Sequence, residues 1–120
     1  MADEAPVTGI RAPPGGGPGR HLKDDELDWF DFDPSGLAEF VRRYGSDDEL
    51  ASNILSCRRA AWSCGSYVQF IPRSEQRGRI GSAIVANDDH PATFQDYAID
   101  IDADGQVVGV ELLHRTCDDA

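Results

Sequence analysis

Positive charge is scarce in this chain. Its 120 residues hold 11 basic side chains against 22 acidic ones, a net charge of −11, and ten of the 11 are arginine. Such a field disfavours nucleic acid, whose phosphates need cationic partners. It also repels anionic membrane surfaces and suits a basic partner, a divalent cation or simple solubility. Cysteine is scarce too. Cys57, Cys64 and Cys117 are odd in number and form no C-x-x-C, so neither a disulfide framework nor a zinc ribbon is indicated. Reduced thiols in a cytoplasm are the expectation. No apolar run approaches the length of a membrane span, and the N-terminus lacks an apolar h-region. No P-loop, G-x-S-x-G, H-E-x-x-H or helix-opening G-x-G-x-x-G occurs, which removes the common nucleotide-binding and hydrolase signatures.

What is present divides into a tail and one domain. Residues 1–23 carry Pro6, Pro13, Pro14 and Pro18 and the run Gly15-Gly16-Gly17, with few apolar side chains to offset ordering entropy, so a disordered tail is expected. A single α+β domain is expected over 24–116 and a short C-terminal tail over 117–120. Residues 24–33, DDELDWFDFD, mix acids with bulky aromatics. Two readings compete: Leu27, Trp29, Phe30 and Phe32 pack on the domain with the acids outward, or the whole segment is an exposed partner-binding motif. The cost of leaving aromatics in water favours packing.

Asp33-Pro34 opens a helix. Leu37, Phe40, Val41 and Tyr44 follow as an i, i+3, i+4, i+7 stripe, and Gly45 suits a left-handed C-cap. Ser46 with Glu49 reads as a capping box for a second helix with a stripe of Leu50, Ile54, Cys57 and Ala61, ending before Gly65. Arg42-Arg43 and Arg58-Arg59 then fall at helix ends, where cations are favoured. From Ser66 the period changes to two. Strands are expected over 67–71, 80–86, 94–102 and 106–113, with Gly105 in the last turn. Short connections make these a four-stranded antiparallel meander, covered on one face by an N-terminal helical hairpin.

The sharpest motif is Asp100-x-Asp102-x-Asp104-Gly105 followed by Glu111 at position 12, which satisfies the EF-hand pattern for calcium. Its flanks alternate like strands and include an internal glycine, which argues against the helices such a loop needs. Asp102, Asp104, Gly105, Val108, Gly109, Val110, Glu111 and Leu112 resemble the closing acidic turn and strand of the small bacterial domain-of-unknown-function family numbered 2283. Tyr67-Val68-Gln69-Phe70 resembles its opening strand. The resemblance covers about residues 65–113. It implies a small β-meander domain without assigned catalytic residues, in a family often suspected of partnering toxin-like proteins.

Catalytic groupings are thin. His21 lies in the tail, His114 follows the last strand, and His90 beside Asp88 and Asp89 is accounted for by a solvated turn. Cys57 falls on a buried stripe, while Cys64, at the expected helix end, is the more exposed thiol. Arg73, Arg77 and Arg79 form one basic spot. No catalytic residue and no cofactor is expected. The leading expectation is a non-enzymatic acidic protein-binding module, of the antitoxin or immunity-inhibitor kind. It would meet a basic partner surface through Asp28, Trp29, Phe30, Asp31, Phe32 and Asp33. The alternatives are a calcium module using Asp100, Asp102, Asp104 and Glu111, and a small enzyme.

Overall fold

The computed structural model describes residues 22–85 and 96–113. The expected tail up to residue 21, the His90 loop, the strand start at Phe94, and His114 and Cys117 lie outside them. The described residues form an α+β fold: two short helices and a six-stranded antiparallel sheet. A 3-10 turn at Asp24–Glu26 leads to β1 (Phe30–Asp31), α1 (Ser35–Phe40), a π turn at Val41–Gly45 and α2 (Asp48–Ile54). Then come β2 (Arg59–Cys64), β3 (Tyr67–Gln69), a 3-10 turn at Arg73–Glu75, β4 (Gly81–Val85), β5 (Tyr97–Ile101) and β6 (Val107–Leu112). Among the described residues no helix is long and apolar enough to cross a membrane.

The strand order is β1-β2-β3-β6-β5-β4. This corrects the four-stranded meander, because β3 pairs with β6 rather than with β4. It also corrects the helical hairpin, since a strand precedes the helices and the second helix stops at Ile54, well before Gly65. The stretch expected to continue that helix is β2. Five of its six residues are buried, so it has no polar face and no period to read. Two caps move by one residue. Asp47, not Ser46, caps α2 by accepting from the Leu50 amide at 3.0 Å, and the left-handed residue is Ser46 (φ 51°), not Gly45.

One row of the sheet shows how the core is made. Trp62, Val68, Val110, Ile99 and Ala83 stand side by side across five strands, on the face that α1, the π turn and α2 cover with Leu37, Phe40, Val41, Leu50 and Ile54. Phe40 meets Tyr97 edge-on at 5.0 Å between ring centroids, and Phe32 stacks on Phe70 at 5.0 Å. The neighbouring row, Gln69, Gly109, Asp100 and Ser82, falls on the opposite face by the alternation of strands. Gly109 is required there. A Cβ would overlap the Tyr67 hydroxyl and approach the Val68 carbonyl oxygen to 2.7 Å. The bare backbone lets the Tyr67 ring cross β6 to Asp100 on β5, whose Oδ2 accepts from the Tyr67 hydroxyl at 2.9 Å.

Candidate functional site

The segment from Asp24 to Asp33 is fastened at both ends. At the start, the Asp24 carboxylate accepts from the amides of Arg73 at 2.9 Å and Ser74 at 3.0 Å, capping the 3-10 turn. Those bonds hold its carboxyl below the ordinary value of 3.8. Arg73 returns the clasp by donating to the Leu22 carbonyl at 2.9 Å and to Ser63 Oγ at 3.2 Å. At the other end, Asp33 Oδ1 accepts from the Ser35 hydroxyl and, at 3.0 Å, from its amide, and the Ser35 bonds lower the Asp33 carboxyl as well. Between these anchors β1 pairs antiparallel with β2, Phe30 opposite Ala60 and Asp31 opposite Arg59.

That pairing decides which side chains face water. Phe32 is buried in the core at 4% exposure, and Phe30 packs against the core half-buried. Trp29 is half-buried, with the Arg59 guanidinium 5.1 Å from its ring centroid. Asp28 and Asp31 are exposed, and neither forms an ion pair or side-chain hydrogen bond with a described residue. The six expected partner-binding residues therefore separate into three kinds. Asp28 and Asp31 are carboxylates free of described partners, Asp33 is bonded to Ser35 at the start of α1, and the aromatics belong wholly or partly to the fold.

The acids of the EF-hand pattern are spread over a β-hairpin, with β5 on one side and β6 on the other. Asp100 lies between the Tyr67 hydroxyl on Oδ2 and the Ser82 hydroxyl, 2.6 Å from Oδ1. Asp102, 5% exposed, turns into the hairpin. Its Oδ1 accepts from the Asp104 and Gln106 amides, both at 3.0 Å. Its Oδ2 accepts from the Arg77 amide at 2.9 Å and Gln106 Nε2 at 2.8 Å. Burial pushes this carboxyl up, and the four bonds more than offset it, so its pKa lies below 3.8. Gly105, at φ 82°, closes the turn. Asp104 is exposed, and Glu111 stands on β6 opposite Ala98. Among the described residues no group of three or more His, Cys, Asp or Glu side chains is arranged around a common metal position.

Both described thiols are buried, which corrects the exposed Cys64. It ends the covered strand β2, fully inaccessible. Cys57 is pushed up to about 12 by burial and is thus a neutral thiol at physiological pH.

The sequence reading missed a cleft of about 500 Å³ at one end of the sheet. It lies between the link from α2 to β2, which supplies Ser56, Cys57 and Arg58, and the turn from β5 to β6. Arg58 and Arg59 line it, neither of them ending a helix as expected; Arg59 opens β2. An earlier strand start would have brought them to light, but the alanine-rich stretch after them has no strand period. No family model matches the chain, and no curated protein or solved structure matches it.

Proposed function

We propose that this chain is a non-enzymatic, acidic protein-binding module that engages a basic surface on its partner, in the manner of an antitoxin or immunity-type inhibitor. The observation that carries the reading is the splitting of the 28–33 segment. Phe30 and Phe32 fix the backbone to the core and sheet, and Asp28 and Asp31 project without a partner among the described residues. A rigid display of charge steers association and selects partners at little ordering cost. Residues 24–49 hold ten acids against two arginines, so the neighbouring surface reinforces the sign.

The test uses a short polyarginine peptide as probe, with association rates measured at low salt. Replacing Asp28, Asp31 and Asp33 together with asparagine, whose amide oxygen at position 33 can still accept from Ser35, should slow association about tenfold. A control with the same charge change outside residues 24–49, Asp104→Asn, Asp118→Asn and Asp119→Asn, should slow it less than about twofold. Equal losses would show that net charge alone acts and would sink the reading.

A further inference from the structure

We infer that the cleft at the sheet end is a second binding site, for a small organic anion with an apolar body. This goes beyond the acidic face and does not depend on it. The cleft's size falls in the range typical of small-molecule sites, roughly 300–1,000 Å³. Its wall opposes the charge of the molecule: in a chain of net charge −11, two adjacent arginines line one concavity.

Neither guanidinium has a hydrogen bond or ion pair to a described residue. The Arg59 side chain is instead held against the Trp29 ring, which orients the charge without consuming its donors. Asp31 lies opposite Arg59 in the ladder, Asp33 acts on Arg58 through space, and Asp104 sits on the far wall. These acids moderate the local field but occupy none of the arginine donors.

The remaining lining supplies the other half of the recognition. Cys57, Phe70, Ile71 and Val107 are apolar surface, and the Cys57 thiol stays neutral, so it does not repel an anion. Asn53 and Ser56 add polar groups. Asn53 Nδ2 reaches the Gly105 carbonyl at 3.4 Å, a long bond that leaves donor capacity to spare. A smaller cavity of about 170 Å³ shares Arg59, Phe70 and Ile71 with the cleft and is lined also by Trp29, Pro72 and the acidic Glu75. The cleft suits an apolar body with a carboxylate or similar head at the arginines, since charge-assisted bonds to guanidinium are the strong ones.

The probes are N-acetyl-phenylalanine, its uncharged carboxamide and inorganic phosphate, titrated into the full chain and followed by amide chemical shifts. The acid should bind saturably below about 10 mM, moving the amides of Arg58, Arg59, Phe70 and Val107. The carboxamide should bind at least about tenfold more weakly, and so should phosphate, which lacks the body. The double variant Arg58→Gln/Arg59→Gln should lose about tenfold in affinity for the acid. Asp28→Asn, at an acidic-face residue that does not line the cleft, should leave that affinity unchanged, which separates this site from the acidic face. Equal binding of acid and carboxamide overturns the proposal without any variant. So does the absence of saturable binding by the acid, or unchanged affinity in the folded double variant. Phosphate binding as tightly as the acid overturns the apolar half.

Discussion

The acids of the 100–104 turn and those of the 28–33 segment look alike in sequence, closely spaced aspartates between apolar residues, yet they face opposite ways. Asp100 and Asp102 are turned onto hydroxyls, amides and a glutamine, six donors between them. Asp28 and Asp31 meet no described donor. Spacing does not separate the two groups; the donors within reach do. In the hairpin, the turn presents its own amides and Gly109 leaves room for the Tyr67 ring. Beside β1, the aromatic neighbours take the inward positions and leave the carboxylates to water. The motif with the stronger chemical signature therefore serves the fold, and the plainer segment keeps its charge available.

Phe32→Ala probes the second half of that contrast and should have the largest effect. The ring is 4% exposed and stacked on Phe70. Truncation should cost roughly 3–5 kcal/mol in denaturant unfolding, close to the whole stability of a small core. A loss below about 1 kcal/mol would show that β1 does not depend on its aromatics.

Asp102→Ala probes the first half. Four bonds vanish and their donors lie in a tight turn, so the melting temperature should fall by roughly 5–10 °C at neutral pH. The effect has a pH signature. The folded pKa of Asp102 lies below its ordinary value, so its contribution is fully present above 3.8 and is lost as pH falls through the folded value. Asp24 behaves in the same way. The gap between wild type and Asp102→Ala, followed by circular dichroism, should therefore close below 3.8. A constant gap would mean that the carboxylate charge plays no part in holding the turn.

The same contrast shows what the sequence discloses. The β5–β6 hairpin was legible because one face of each strand is apolar and Gly105 marks the turn. α1 was legible from Leu37, Phe40 and Val41. β2 was not, because a strand covered on both faces has no alternation, and Arg59–Cys64 then resembles a helix continued from Ile54. β1 is too short to show a period, and the pairing of β3 with β6 is a long-range choice that no local pattern carries. For the site, the outward acids follow once the aromatics are assumed to pack. The role of Asp102 does not, since calcium loops and tight turns ask for the same letters, Asp-x-Asp-Gly. The arginine cleft depends on the start of β2 and was lost with it.

Asp28→Asn/Asp31→Asn should have the smallest effect on stability, and its smallness is informative. Both side chains are exposed, and neither bonds to a described donor. Removing two negative charges from a molecule of net charge −11 relieves some repulsion. Asp31 faces Arg59 across the ladder, and an exposed opposite-charge pair contributes little, so the two effects should nearly cancel. The melting temperature should move by less than about 2 °C in either direction. A fall comparable to that of Asp102→Ala would mean that these carboxylates hold the β1 segment in place, and the distinction between acids bound into the fold and acids left free would collapse. A small rise would fit charges kept at a slight cost to stability, which is how a surface retained for binding behaves.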